Sequence, residues 1–266
     1  MRAGRRRASL TTLLLARSFA SVRGLVEIRL FAPSQPLTAR AALSLPDEQR
    51  HYLANVMRAK PGGKILLFNG VDGEWSASID VLDKKRCELL VIELTRPQPT
   101  PIAAAPTLLF GVLKGQRLPT LIEKCTELGC GDFMPVVMRH CAARSLNVPR
   151  LQAIATEAAE QSRRLTVPTV HEPVALADAL AGWEPSRPLF VCDELGHAGG
   201  APPLGGLAAE LAAASPGILI GPEGGLAAEE RTLLQEQAFV RAVSLGANTL
   251  RAETAAMAAC ALLSCR

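Results

Sequence analysis

ILIGPEGGL, residues Ile218–Leu226, and SLGANTLRAETAA, residues Ser244–Ala256, decide the fold. Each runs from a short apolar strand into a glycine-containing loop and on into a helix. Glycine has no Cβ, so such a loop lets backbone approach a ligand closely. Two of them at the carboxyl ends of adjacent strands would form a small-molecule cradle at the edge of an α/β sheet. Either loop alone reads equally well as a tight strand-to-helix turn. The pair, in this order, favours the cradle.

Outward from these loops, the chain from Thr107 to the C-terminus alternates. Strands are expected at 107–113, 133–138, 189–192, 217–221 and 239–245. Helices are expected at 119–128, 149–165, 174–181, 204–213, 227–237 and 252–263. Strand–helix alternation predicts a mostly parallel sheet covered on both faces. Upstream, Arg96–Pro106 holds four prolines in eleven residues, and reads as a stiff linker centred on 99–106. Residues 26–98 read as a smaller, mostly β domain. It has strands at 27–31, 64–68, 74–83 and 87–94, a helix at 46–59, and hairpin punctuation at Asn69–Gly70 and Asp72–Gly73.

Composition narrows the function. Of 266 residues, 48% are hydrophobic and 20% charged, which supports packed domains. No apolar run reaches the roughly 18–20 residues of a membrane helix. The formal charge of +4 comes from the first 25 residues, which carry six of the 29 bases and none of the 25 acids. The remaining 23 bases against 25 acids make a body without general basic character, so any nucleic-acid contact must rest on local clusters. Residues 1–25 read as a leader outside the fold: an Arg-rich transit peptide, or the product of an upstream start, with a secretory signal disfavoured by the lack of a clear cleavage site. The seven cysteines form no CxxC pair and the four histidines are scattered, so free thiols in a reducing compartment are expected and no metal site.

Walker A, GxGxxG, GxSxG and HExxH motifs are all missing from the sequence. Chemistry therefore falls to the two C-terminal loops. Arg251 and Glu253 stand where the last helix begins, a place of unpaired N–H groups and partial positive charge. Glu253 could equally cap that helix, and Glu223 could bind a substrate or brace its own loop. Basic clusters occur at Arg58, Lys60 and Lys64; at Lys84, Lys85 and Arg86; at Lys114, Arg117 and Lys124; and at Arg163 and Arg164. Each is a phosphate-binding candidate or an ordinary solvated face. Aromatic residues are only 4%, too few for a base-stacking platform.

These residues together resemble the small-subunit ribosomal RNA (uracil-N3) methyltransferase family of the knotted SPOUT class. The matching stretches are RLF (Arg29–Phe31), HYLANVMRAKPG (His51–Gly62), LLFNGVDGEW (Leu66–Trp75), GVLKGQR (Gly111–Arg117), IEKCTELG (Ile122–Gly129), EAAEQSRR (Glu157–Arg164) and the two C-terminal loops. The resemblance covers all but the leader. It implies an α/β SPOUT-type deep trefoil-knot methyltransferase domain at 107–266, a path that ordinary folding rules argue against, preceded by a PUA-like RNA-binding β-barrel domain at 26–98. It implies S-adenosyl-L-methionine held by the loops after 189–192, 221–226 and 245–250, with Ile220, Gly221, Pro222, Glu223, Gly224, Gly225, Leu245, Gly246, Asn248 and Leu250 as cofactor-binding residues. It further implies homodimerisation, a cytoplasmic protein (or a mitochondrial or plastid one if the leader is a transit peptide), and methylation of uridine N3 in the decoding centre of small-subunit (16S) rRNA. Another RNA substrate, or a non-catalytic RNA-binding assembly factor, are the alternatives.

Uridine N3 must lose a weakly acidic proton, so a cation favouring the anion, or a base, would help. Arg251 is assigned to anion stabilisation or phosphate anchoring, and Glu223 to the role of base or to substrate orientation. Arg29, Arg58, Lys60, Lys114, Arg117, Arg163 and Arg164 are assigned to RNA. One departure stands out: where many relatives read SLGPRILR, this chain has Ala247 and Asn248 in place of proline and arginine.

Overall fold

The computed structural model describes residues 28–99, 105–113, 115, 117–192, 200–207 and 215–264. The leader, residues 100–104 of the proline-rich segment, Lys114, the loop after Cys192 up to 199, most of the helix expected at 204–213 and Cys265 lie outside them.

The N-terminal part is a five-stranded sheet in the order β1-β3-β4-β5-β2, built from β1 (Arg29–Phe31), β2 (Ala42–Ser44), β3 (Lys64–Phe68), β4 (Glu74–Leu82) and β5 (Cys87–Arg96). β1 pairs parallel to β3; the other pairings are antiparallel. The β3–β4 turn is fixed by Asn69, whose Oδ1 accepts from the backbone N of Val71 and Asp72. Gly70 and Gly73 take positive φ, and a Cβ at Gly73 would collide with Arg96 O. The expected helix at 46–59 is shorter and irregular. α1 (Asp47–His51) continues into a wider turn, Tyr52–Val56, in which Met57 N donates to Tyr52 O. This turn seats Leu53, fully buried, on the sheet.

The C-terminal part is a parallel sheet in the order β12-β10-β11-β6-β7-β8, with β9 also on β7. The strands are β6 (Thr107–Gly111), β7 (Asp132–Val137), β8 (Thr169–Val170), β9 (Val174–Ala175), β10 (Leu189–Cys192), β11 (Gly217–Ile220) and β12 (Val240–Val243). Alternate strand residues feed opposite faces. Leu108, Phe110, Phe190, Ile218 and Ile220 pack on one side with α2 (Arg117–Glu127), α3 (Val148–Gln161) and α6 (Ala252–Ser264). Leu109, Leu189, Val191 and Leu219 pack on the other with α4 (Leu176–Ala181) and α5 (Ala228–Gln235). Pro135 sits inside β7 without breaking the ladder. Phe133 O accepts from His171 N on the β8 side and Val136 O from Val112 N on the β6 side. By this alternation the missing donor of Pro135 faces the gap between β8 and β9.

After edge strand β12 the chain turns back across the sheet. Ser244 N donates to Pro202 O, Leu204 N donates to Ser244 O, and α6 then packs behind β11, β6 and α2. This return path, against a segment that lies between β10 and β11 in sequence, is the one a trefoil knot requires.

The two parts meet where β1 faces the end of α3. Arg29, 7% exposed, pairs with Glu74 at 2.5 Å, lies 3.7 Å over the Phe68 ring, and donates to the carbonyls of Ala159, Glu160 and Arg164. Arg96 reaches Glu74 at 3.3 Å and the carbonyl of Arg163. Arg164 turns inward and donates to Thr126 O and Cys130 O. Arg29 and Arg164 are therefore corrected from RNA contacts to struts, because their guanidinium donors are spent on buried carbonyls.

Phe31 N donates to Glu160 Oε1 at 2.9 Å at the same junction. Burial pushes the Glu160 carboxyl up to about 7, against the opposing pull of that hydrogen bond and Arg29. Between its ordinary value of 4.5 and about 7 the folded protein thus holds a proton that the unfolded chain has released. Stability from this group falls as pH rises through that window. Glu160→Gln keeps an acceptor for Phe31 N without the charge. It is expected to flatten this part of the stability–pH curve and to raise the thermal midpoint above neutral pH, as followed by circular dichroism melts.

Candidate active site

Cys192, Ile220 and Val243 end β10, β11 and β12 in register, with Phe110 level on β6. The loops after β11 and β12 therefore leave the same carboxyl edge on either side of β10, the place where open parallel sheets bind ligands. Between them lies a cavity of about 370 Å³. Its walls are Ile220–Glu223, Gly225, Leu226, Thr249–Ala252, Cys192, Arg117 and Ala255.

The first loop is a turn closed by Gly225 N donating to Pro222 O, with Gly225 at φ +71°. Gly111, the last residue of β6, lets it sit close: a Cβ there would lie 2.7 Å from Pro222 N and 2.8 Å from Pro222 Cα. Gly224 faces away from the cavity, since a Cβ on it would meet His140 Cβ at 2.8 Å. His140 Nδ1 lies 3.1 Å from Gly225 O, donating to that carbonyl. Glu230, in the first turn of α5, accepts from Ala227 N at 2.8 Å and Arg139 N at 2.7 Å. The loop is thus pinned from behind by the segment that follows β7.

In the second loop Gly246, at φ +121°, makes the turn after Ser244, and Gly246 N donates to Ser244 Oγ. Ala255 N donates to Arg251 O, so Arg251 opens α6. Ala252 and Ala255 turn a small-residue face to the cavity.

Charge is divided between two arginines. Arg117, at the start of α2, forms an ion pair with Glu223 of the first loop and lies 3.7 Å from Glu253 of α6. It is tied to both loops. Arg251 is exposed at the cavity wall, and its side chain has no partner among the described residues. Glu223 is engaged by Arg117, an ion pair that fits the loop-bracing alternative. Cys192, by contrast, is held as a thiol, burial pushing it up to about 12. It contributes apolar wall and no thiolate nucleophile.

The expected residues are therefore only partly gathered. Ile220, Gly221, Pro222, Glu223, Gly225, Leu250 and Arg251 share the cavity wall. Gly224 packs on His140, Leu245 on the core, and Gly246 and Asn248 are exposed. Arg117, expected on RNA, is in the wall. Arg58 and Lys60 are exposed on the small domain, and Arg163 is exposed with its carbonyl held by Arg96. Leu226 and Thr249 fall within the expected cofactor loops, and Ala252 and Ala255 within the 244–256 stretch, though none was singled out. Gly111 and His140 were not assigned to the site; Gly111, first in GVLKGQR, carried a signal and His140 none. Among the described residues no group of three or more His, Cys, Asp or Glu could hold a metal ion, and no helix is long and apolar enough to cross a membrane.

The wall suits a ligand with an apolar ring system and a polar tail such as S-adenosyl-L-methionine. Ile220, Leu226 and Leu250 give apolar surface, the small α6 face leaves room, and the glycine loop exposes backbone donors and acceptors.

Known proteins share this fold. Residues 100–264 match the RNA methyltransferase domain model and residues 45–92 the RNA methyltransferase PUA domain model. Ribosomal RNA small subunit methyltransferase E of Rickettsia conorii is 33% identical over 215 residues, 81% of this chain and 86% of the relative. The Bacillus subtilis protein of that name is 31% identical, over 86% of this chain and 92% of its own. The crystal structure of the Neisseria gonorrhoeae protein of that name, bound to S-adenosyl methionine, superposes with a TM-score of 0.77 at 29% identity, covering 89% of this chain and 96% of that one. The chain belongs to the ribosomal RNA small subunit methyltransferase E family, an RNA methyltransferase domain joined to a PUA domain.

Proposed function

We propose that this protein transfers a methyl group from S-adenosyl-L-methionine to N3 of a uridine in small-subunit ribosomal RNA, acting as a homodimer in the cytoplasm or in an organelle that keeps its own ribosomes. The observation that carries the reading is the single cavity shared by the two C-terminal loops, with one arginine tied to both and another left free beside it. When bound, the cofactor supplies an electrophilic methyl on sulfonium. The 220–226 loop and the α6 face would hold it, and Arg117 would keep the loops in register through Glu223 and Glu253. Arg251 would face the uridine and favour its N3 anion. The target base has to be presented unpaired for N3 to be reached.

Purified protein, S-adenosyl-L-methionine and small subunits or their RNA should give one 3-methyluridine, located by nuclease digestion and mass spectrometry. Methylation of transfer RNA instead would reassign the substrate. Cofactor and RNA binding with no transfer would make the protein a non-catalytic assembly factor. Light scattering should give twice the chain mass.

A further inference from the structure

The segment after β7 holds two exposed arginines, Arg139 and Arg144, whose guanidinium groups have no hydrogen-bond or ion-pair partner among the described residues. Its backbone, by contrast, is anchored at both ends. Cys141 N donates to Met138 O, Met138 N to Cys141 Sγ, and Arg139 N to Glu230 Oε1, while Asn147 caps α3 through Arg150 N. His140, between the two arginines, packs on Gly224 and bonds to Gly225 O, so the segment rides on the back of the cavity's first loop. Glu230, the nearby acid, spends both carboxylate oxygens on backbone donors.

We propose that Arg139 and Arg144 form a phosphate clamp for the RNA strand that delivers the target base. The inference rests on the reading of this protein as an RNA methyltransferase acting on ribosomal RNA, and it places the anchoring contacts beside the reaction cavity. Four physical points carry it. Arg29 and Arg164 are spent inside the protein, so phosphate contacts must come from cations that are still free. The folded body has no general positive charge, so those cations must be local. Arginine matches phosphate oxygens in a planar fork. A segment anchored at both ends has less freedom to lose on binding. Because the clamp and the first cofactor loop share the His140 contacts, an RNA strand gripped there is held in fixed register with the cavity.

The test uses the full-length protein and the double variant Arg139→Gln, Arg144→Gln, which keeps every backbone hydrogen bond of the segment. Fluorescence anisotropy is measured across a salt series with a small-subunit rRNA transcript and with an unrelated RNA of equal length. Loss of two phosphate contacts should weaken binding at every salt concentration and lower the magnitude of the log K against log salt slope by about 1.4 for single-stranded to about 1.8 for duplex RNA. Calorimetric affinity for S-adenosyl-L-methionine should be unchanged. An unchanged slope on the RNA that the wild-type protein binds overturns the clamp, as does failure of the wild type to bind either RNA. An unchanged slope with a shift from dimer to monomer would assign both arginines to an interface between copies and likewise overturn it. Which RNA the wild type methylates decides the substrate reading separately.

Discussion

Arg251→Ala is expected to lower kcat for methyl transfer by about 10²–10³, the usual effect of removing one donor that stabilises a developing anion, while leaving affinity for S-adenosyl-L-methionine nearly unchanged. The expectation follows from the division of labour at the cavity. Arg117 already has two carboxylates, Glu223 in the first loop and Glu253 on α6, so its charge is committed. Arg251 opens α6 and lines the same cavity with no partner among the described residues. An unpaired guanidinium beside a partly apolar cavity is ready to meet negative charge that appears only during the reaction, and it needs no rearrangement to do so. Arg251→Lys should recover part of the rate, because a point charge remains although the planar fork is lost. Single-turnover kinetics with saturating cofactor, together with calorimetry of cofactor binding, separate the possible roles. Equal losses of cofactor affinity and rate would show that Arg251 holds the methyl donor, and an unchanged rate would remove it from the chemistry altogether.

How much of this was legible beforehand depends on whether the signal was local. The two loops were, since a strand ending in glycine and followed by a helix reads from a dozen residues, and Ile220–Glu223, Gly225, Leu250 and Arg251 do meet at one cavity. The parallel sheet was legible from strand–helix alternation. Strands of two or three residues, such as 42–44, 169–170 and 174–175, are too short to show a period of two. The wide turn at Tyr52–Val56 keeps a helical apolar pattern, so its changed hydrogen bonding left no mark on the sequence. The largest errors concerned arginines. A cation that donates to buried carbonyls and one that waits for phosphate look alike in a linear chain, which is why Arg29 and Arg164 were read as RNA contacts. His140 was passed over for the same reason: its partner, Gly225, is 85 residues away. Gly224 was assigned to the cofactor with the rest of its loop by resemblance, but alternate loop residues turn opposite ways, and a Cβ on it would meet His140.

Arg29→Ala should be the most destabilising single substitution at the domain junction, lowering stability by about 3–5 kcal/mol, the range for breaking a buried pair by removing one partner. The loss has two parts. Glu74, itself 8% exposed, loses the guanidinium 2.5 Å away. The carbonyls of Ala159, Glu160 and Arg164 at the end of α3 lose a shared donor. Arg96, at 3.3 Å from Glu74, remains and should hold the effect toward the lower end of the range. Replacing both members, as in Arg29→Met with Glu74→Gln, should recover much of the loss, since the penalty lies in the orphaned charge more than in the missing pair. Because Arg29 ties β1 to α3, the single variant should also unfold its small sheet at lower urea than the large one, with the two transitions further apart than in the parent protein. A loss below about 1 kcal/mol, the scale of a solvent-exposed pair, with no change in the separation of the transitions would mean that the junction is held by something other than Arg29.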